Sequence, residues 1–241
     1  MNRDQILNAL FPAGWEPAAL ETDYFEGRAA VGATMVTVIG TAERVEVGAD
    51  LALRMAAAVL DTVRNRPGEP ILFLLDTQGQ RLRRRDELLG LNGYMAHLAK
   101  CVEIARGRGH VILSVVYGEA VSGGYLTTGM MADACYALAD AEIKVMNLPA
   151  LARITKLPLE RVEALAERSP VFSPGVANYH HMGHLRAIWT DDYPRRLAGA
   201  LADLSSMDAA SRRIDRRIAD GAARGGRTMA EMVVGRVRSD A

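Results

Sequence analysis

The chain has 241 residues, and its hydrophobic content of 49% is enough to bury a substantial core as one large domain or two small ones. Its 29 acidic and 29 basic residues cancel, so the charge indicates neither a nucleic acid nor a membrane surface as the main partner. The two cysteines exclude a zinc ribbon, and because no apolar run approaches about 20 residues we expect a cytoplasmic protein without a signal peptide or a membrane span.

Strand-forming and helix-forming segments alternate along the chain. Residues 1–30 are mixed in character, and we expect an N-terminal arm or a short helix that lies against the core or against a partner. Beyond them the apolar patterns predict, in order, a strand at 34–39, a helix at 48–66, a strand at 70–76, a helix at 86–108, a strand at 111–116, a short helix at 125–132, strands at 134–138 and 143–146, and helices at 158–168 and 193–217. This alternation predicts an α/β fold with largely buried strands. We treat residues 1–241 as a single domain, with residues 190–241 as a C-terminal helical extension.

The most informative stretch is VILSVVYGEAVSGGYLTTGMM at residues 111–131. Five of its first six residues are apolar, which predicts a buried strand, and the strand runs into Gly123 and Gly124 just before a predicted helix. The first amides of a helix have no intrahelical acceptor and lie at the positive end of its dipole. Chemistry that builds negative charge on an oxygen needs such donors, and paired glycines let a substrate approach the backbone closely.

A second buried run, PILFLLD at residues 70–76, breaks into TQGQ, which contains Gly79 and Gln80. Two strand-end loops of this kind can each supply one N–H group to a single carbonyl oxygen. The candidate oxyanion residues are therefore Gly79, Gln80, Gly123 and Gly124. Ordinary turns between the strands and helices of an α/β domain produce the same pattern, so both interpretations stay open.

The two motifs, PILFLLDTQGQ and HVILSVVYGEAVSGGYLTTG, resemble the carboxyltransferase subunits of acyl-CoA carboxylases, and more closely the gamma subunit of biotin-independent malonate decarboxylase. The resemblance covers roughly residues 33–156 and continues through KVMNLPALARITKLPLERVEAL. It implies a crotonase-like (ClpP/crotonase) spiral of ββα units with flanking helices. It also implies that the chain, with a homologous beta-type subunit, decarboxylates a malonyl thioester carried on the prosthetic arm of an acyl carrier protein. Other malonate decarboxylase subunits are implied partners, and no cofactor is implied in this subunit.

Three departures from the carboxyltransferase pattern favour the decarboxylase branch. Alpha-type carboxyltransferase subunits usually have proline where this chain has Gln78, a glycine-rich run where it has Ala120 and Val121, and a Pro-Glu-Gly turn where it has Leu148-Pro149-Ala150. The alternatives are a carboxyltransferase subunit of a biotin-dependent complex and a non-catalytic scaffold subunit. A serine hydrolase is a more distant alternative, since the nucleophile elbow needs glycine at position 120 and Ser122 therefore lacks that context.

Ser122 and a basic run are the candidate residues for binding the substrate and its carrier. The run follows the second glycine loop directly and consists of Arg81, Arg83, Arg84 and Arg85. An acyl carrier protein is acidic and its prosthetic arm carries a phosphate, so these arginines can dock it. A solvated helix start, or ion pairs with Asp86 and Glu87, explains the run equally well.

The candidate proton donors for the enolate carbon lie in a histidine-rich segment. They are Tyr179, His180 and His181, and a residue of the partner subunit is an equally good source. The spacing of His180, His181 and His184 is compatible with metal binding, but it also occurs in a polar loop at a subunit interface. We predict no metal site.

Overall fold

The computed structural model describes residues 1–167, 169, 173–226 and 229–239. These residues form a nine-stranded mixed sheet in the order β1-β2-β3-β5-β6-β7-β9, with β4 and β8 branching from it. The pairs β1–β2 and β2–β3 are antiparallel, and every later pair is parallel. The strands are β1 Trp15–Leu20, β2 Tyr24–Val31, β3 Thr34–Thr41, β4 Val45–Val47, β5 Ile71–Gln80, β6 Ile112–Val121, β7 Ala134–Leu138, β8 Glu142–Lys144 and β9 Ala187–Trp189.

The helices occupy the connections between these strands and the C-terminal part of the chain. They are α1 Arg3–Leu10, α2 Ala49–Asn65, α3 Arg84–Leu88, α4 Leu91–Gly107, α5 Ser122–Leu126, α6 Leu148–Thr155, α7 Leu159–Ala166, α8 Val176–His181, α9 Tyr193–Ser206, α10 Ala209–Arg212, α11 Arg217–Ala223 and α12 Ala230–Ser239. None of the helices in the described ranges is long and apolar enough to cross a membrane.

Strands β5 and β6 each pair with different strands along their two halves. Their first halves pair with β3 and β7 in the main path of the sheet, which we call the main sheet, whereas residues 77–80 pair with β4 and residues 119–121 pair with β8. We call this branch, made of β4, β8 and the second halves of β5 and β6, the small sheet. A main-sheet strand, a small-sheet strand and a helix therefore follow one another repeatedly along the chain, which is the predicted succession of ββα units.

Asp76 stabilises the bend at which the chain passes from the main sheet to the small sheet. The β5–β6 register shifts between Leu75 and Thr77. At this point the buried Asp76 carboxylate accepts hydrogen bonds from the backbone N–H groups of Glu119, at 2.8 Å, and Arg44, at 3.0 Å. A Cβ on Gly118 would overlap this carboxylate, so the neighbouring strand needs glycine there. The strands consequently extend past the predicted ends at 76 and 116, through residues that look like loops.

The core lies between the main sheet and helices α2 and α4. The ILFLL and ILSVVY segments are buried on both faces, as expected for parallel strands covered by helices. Apolar residues recur in α2 at positions 51, 55, 59 and 63, which predicts a buried stripe, and the helix buries Met55 and Val59 of it, each worth about 1.5–3 kcal/mol. The stripe positions Leu51 and Val63 are only half-buried, because the face in contact with the sheet is centred on Ala52 and Ala56.

Several predicted helices are shorter than expected. The helix predicted at 86–108 is α3 and α4, separated where Gly90 adopts a left-handed conformation (φ 75°). The helix predicted at 125–132 is α5, which begins earlier and ends at Leu126. The helix predicted at 193–217 breaks at Met207, whose extended backbone ends α9, and Asp208 then caps α10. The helix predicted at 158–168 is α7, and residue 168 lies outside the described residues.

The N-terminal residues form part of the core and of the main sheet and are not a separate arm. Helix α1 is the expected short helix, and it buries Ile6, Leu7 and Leu10 in the main core. Residues 15–31, however, form β1 and β2, which extend the main sheet and were not predicted. In the predicted C-terminal extension, α9 buries Leu197 and Leu201 in the same core. The assignment of the whole chain to a single domain stays a prediction.

Candidate active site

The structure brings the four candidate oxyanion residues together where the small sheet meets α5. The backbone N–H of Gly123 donates to the Gln80 side-chain oxygen Oε1 at 3.0 Å. A Cβ built on Gly124 would stand 3.2 Å from the Cα atom of Gly79. The pairing of Thr77 with Ala120 sets this register, because it places the ends of β5 and β6 side by side. The juxtaposition agrees with the predicted site, whereas the catalytic role of these residues stays a prediction.

The Gly79 amide already has a hydrogen-bond partner, which in turn bonds to the neighbouring strand β4. The Gly79 N–H donates to Thr77 Oγ1 at 3.1 Å, and that hydroxyl donates to the carbonyl oxygen of Val45 at 2.6 Å. Gly79 has a φ of 102°, and a Cβ there would stand 3.0 Å from the Val121 carbonyl oxygen. Glycine is therefore required at position 79 for the backbone conformation, and its amide points toward Thr77.

Gly123 and Gly124 differ in what surrounds them. A Cβ on Gly124 would lie 2.8 Å from Thr77 Oγ1, so this glycine permits close packing of α5 on β5. The atoms nearest to a Cβ on Gly123 would be Gln80 Oε1, at 2.9 Å, and Gln80 Cδ and the Met95 methyl, both at 3.5 Å. The Gly123 amide is thus capped by the end of a flexible, half-buried side chain, and it is a donor that can exchange its partner.

Ser122 begins α5 in the left-handed region, with φ 45°, a conformation that non-glycine residues rarely adopt. Its Cβ lies 3.4 Å from the position that a Cβ on Gly79 would occupy, so it is adjacent to the site. Among the described residues no histidine or carboxylate hydrogen-bonds its hydroxyl. The geometry therefore provides no base that would make Ser122 a nucleophile.

The basic run divides into two arginines that lie against or pair with α2 and two outward members without an ion pair among the described residues. A Cβ on Gly48 would stand 3.1 Å from Nη1 of Arg81, so that side chain lies at the start of α2. Arg85 pairs with Asp50 at 2.8 Å, and this hydrogen bond lowers the Asp50 pKa. The expected ion pairs with Asp86 and Glu87 are not seen within the described ranges. Asp86 instead accepts the Ala49 N–H at 2.9 Å and caps α2.

Arg83 and Arg84 remain as the outward members of the run. Both side chains are exposed, and neither forms an ion pair with any residue that the structure describes. They lie at the start of α3, three and four residues after Gln80, whose side chain caps the Gly123 amide. Their positive charge is therefore available to a partner, on the segment that follows Gln80.

The candidate proton donors all lie in α8, which contacts α5 through Tyr125. The Tyr179 ring packs edge-on against Tyr125, with centroids 6.2 Å apart, and burial raises the pKa of Tyr179 to about 12. Burial and the charge of Arg224 lower the pKa of His180. Nη1 of Arg224 also donates to the His180 carbonyl oxygen at 2.6 Å and holds the segment against α11.

The structure thus positions Tyr179 and His180 firmly but does not bring them to the glycine site. No contact joins their side chains, or that of the exposed His181, to the Gly123 amide in the described part of the chain. Their role as proton donors stays a prediction.

The residues that sequence reasoning missed are Thr77 and the Gln80 side chain. The only signal for them was their place in the polar segment Thr77-Gln78-Gly79-Gln80 around the predicted glycine.

Comparison with known proteins assigns the family. The sequence pattern of MdcE, described as malonate decarboxylase gamma subunit, matches residues 42–241. The chain belongs to the malonate decarboxylase gamma subunit family. The resemblance stated from the two glycine motifs is therefore confirmed.

One curated relative matches part of the chain. The malonyl-S-ACP:biotin-protein carboxyltransferase MADD of Malonomonas rubra is 33% identical over 146 residues, which are 57% of this chain and 50% of that protein. The chain therefore spans about half the length of this curated relative. Membership of the decarboxylase family favours a decarboxylase subunit over the carboxyltransferase, scaffold and hydrolase alternatives.

Solved structures share the fold. The Pseudomonas malonate decarboxylase MdcD–MdcE hetero-dimer has a TM-score of 0.77 at 24% identity, with 98% of this chain and 97% of that chain covered. A Pseudomonas malonate decarboxylase hetero-tetramer in complex with coenzyme A has a TM-score of 0.75 at 25% identity, with 94% and 97% covered. Transcarboxylase 12S has a TM-score of 0.70 at 20% identity, with 86% and 40% covered. These neighbours confirm the predicted crotonase-like α/β fold.

Proposed function

We propose that this chain, together with a homologous beta-type subunit, decarboxylates a malonyl thioester on an acyl carrier protein to the acetyl thioester. The observation that carries the proposal is the Gly123 amide, which lies at the start of α5 and is capped by an exchangeable side chain. Family membership supplies the reaction class, and the two strand ends supply the geometry that this class needs.

The chemistry requires a place for negative charge. Loss of carbon dioxide from a malonyl thioester leaves an enolate, whose charge lies largely on the thioester oxygen. An N–H group directed at that oxygen stabilises the transition state, and removal of one such donor costs about 2.7–4 kcal/mol. Because the thioester carbonyl itself accepts the electron pair, the proposal assigns no cofactor to this subunit.

A second donor and a proton source complete the proposed site. The Gly124 and Gln80 amides are the further candidate donors on this chain, while the Gly79 amide would first have to release Thr77. The enolate carbon takes its proton from Tyr179, His180, His181 or a residue of the partner subunit. If His180→Gln or His181→Gln leaves kcat unaltered, the substituted histidine is not the proton donor.

The proposed partners follow from the named relatives. MdcD and MdcE of Pseudomonas form a hetero-dimer, which supports a homologous partner for this chain. The name of the Malonomonas enzyme includes a malonyl acyl carrier protein, which supports a carrier-bound substrate. We assign the docking of that acidic carrier chiefly to Arg83 and Arg84. The predicted cytoplasmic location stays a prediction.

A biotin-dependent carboxyltransferase subunit is the second candidate, because the Malonomonas relative is a biotin-protein carboxyltransferase. Avidin separates the two functions, since it sequesters biotin. We expect the purified complex to release carbon dioxide from malonyl acyl carrier protein at the same rate with and without avidin. Complete inhibition by avidin, absent when the avidin is first saturated with free biotin, would assign the chain to the carboxyltransferase branch.

A further inference from the structure

The partner of the Gly123 amide is a carboxamide oxygen. Gln80 Oε1 accepts this N–H at 3.0 Å, across a sequence separation of 43 residues. We propose that Gln80 is a positioning residue whose side-chain oxygen occupies the place of the substrate thioester oxygen and is displaced by it. This inference rests on the proposed function, because it assumes that the Gly123 amide receives the thioester oxygen.

The position of Gln80 suits an exchangeable cap. Its backbone is fixed as the last residue of β5 by pairing with Val47, and the next amide, that of Arg81, donates to the Val47 carbonyl oxygen at 3.0 Å. The side chain is half-buried and has a solvent-facing side, so it can turn away while the strand stays in place. The missing Cβ of Gly123 leaves the space that the oxygen occupies.

The cap has a physical purpose before substrate arrives. An unpaired N–H group in a partly buried site is costly, and Gln80 satisfies it with an acceptor of the same shape as a carbonyl. The amide is therefore already oriented when the thioester enters, which is the preorganisation that electrostatic catalysis requires. In return, an incoming oxygen must replace an existing hydrogen bond.

This exchange predicts a selectivity that depends on the oxygen of the ligand. A thioester must displace Gln80, whereas a thioether with no carbonyl oxygen need not. A merely structural Gln80, acting only as a cap for α5, would change the stability of the variants without changing the ratio of the two affinities.

The test uses the assembled complex with its partner subunit and two uncharged probes. S-acetylpantetheine carries the thioester oxygen, and S-ethylpantetheine is the matched thioether. Calorimetry gives the Kd of each probe for wild type, Gln80→Ala, Gln80→Glu and the control Gln78→Ala, which removes an exposed glutamine two residues earlier. Neither probe is decarboxylated, so the readout is independent of turnover.

We expect Gln80→Ala to shift the affinity ratio toward the thioester by about two- to tenfold, since a typical internal hydrogen bond no longer competes. Gln80→Glu should shift the ratio toward the thioether, because a charged acceptor binds the amide more strongly. Gln78→Ala should leave the ratio at its wild-type value.

Two results would overturn the inference in distinguishable ways. If the wild type prefers the thioester and Gln80→Ala leaves that preference unaltered, Gln80 does not occupy the place of the oxygen, and the proposed function stands. If neither wild type nor Gln80→Ala distinguishes the two probes, the Gly123 amide does not receive the oxygen, and the oxyanion assignment fails together with the inference.

Discussion

Gly123 and Gly124 are neighbours in sequence, but substitutions at the two positions should have different consequences. The space around Gly123 is limited by the ends of two flexible side chains, those of Gln80 and Met95. The space around Gly124 is limited by Thr77 and by the backbone of Gly79. Gly123 can therefore be substituted without a shift of the backbone, whereas Gly124 cannot.

Gly123→Val should abolish most catalysis while the complex still assembles. The branched side chain would stand where the substrate approaches the backbone, 2.9 Å from Gln80 Oε1 at its Cβ. We expect kcat for malonyl-pantetheine to fall by about two orders of magnitude, comparable to the loss of one oxyanion donor. A correctly assembled variant with near-normal kcat would remove Gly123 from the site.

Gly124→Ala should instead lower stability. The new methyl group would lie 2.8 Å from Thr77 Oγ1, 3.1 Å from Thr77 Cγ2 and 3.2 Å from the Gly79 Cα atom. Overpacking of this kind costs about 1–3 kcal/mol of unfolding free energy. Urea denaturation of the chain measures this loss, with Gly123→Ala as the matched control. Equal stability of the two variants would contradict the assigned packing role of Gly124.

Sequence patterns predict the glycines of the site but not the group that caps Gly123. Paired glycines after an apolar run are visible in a short window of sequence. Gln80 and Gly123 are 43 residues apart in sequence. Their contact depends on the register between β5 and β6 and on one side-chain rotamer of Gln80. Local spacing encodes neither the register nor the rotamer. The sequence therefore predicts Gln80 only as a backbone N–H donor and not as the side chain that caps Gly123.

At the scale of elements, apolar runs predict where strands exist but not where they end. Strands β5 and β6 continue through polar and glycine residues because β4 and β8 pair with their second halves. These are non-local interactions that a hydrophobic pattern does not report. The break between α3 and α4 is different, since Gly90 offered a visible local signal for it.

Asp76→Ala should destabilise the passage from the main sheet to the small sheet. The substitution leaves the backbone N–H groups of Glu119 and Arg44 without their acceptor. We expect a loss of about 2–4 kcal/mol in unfolding free energy, and a smaller loss for Asp76→Asn, which keeps one acceptor oxygen. If urea denaturation gives Asp76→Ala the stability of the wild type, the bend is maintained by other contacts.

The charge at the start of α3 should affect carrier binding and not chemistry. For the double variant Arg83→Glu/Arg84→Glu we expect an increase of about tenfold in KM for malonyl acyl carrier protein, smaller at high salt, because exposed charges steer association. The KM for malonyl-pantetheine should hardly change. The matched control is Arg64→Glu/Arg108→Glu, with the same change in charge on exposed arginines at the ends of α2 and α4. An equal effect on both substrates would make the basic run structural.

At the scale of the whole molecule, the fold was predictable through resemblance more than through periodicity. Alternating elements predicted an α/β fold, and the glycine motifs led to the crotonase-like spiral that solved relatives confirm. The edge strand β1 and its neighbour β2 were missed because Glu, Pro and Arg interrupt their apolar residues. The identity of the partner subunit depends on a second chain, which patterns within this sequence cannot specify.

The most direct test of the proposed function is carbon dioxide release from malonyl acyl carrier protein by this chain alone, by its homologous partner subunit alone, and by the two mixed. The proposed function predicts that only the mixture is active and that light scattering shows a hetero-oligomer in it. Full activity of this chain alone, in a monomeric state, would contradict a site completed by the partner subunit.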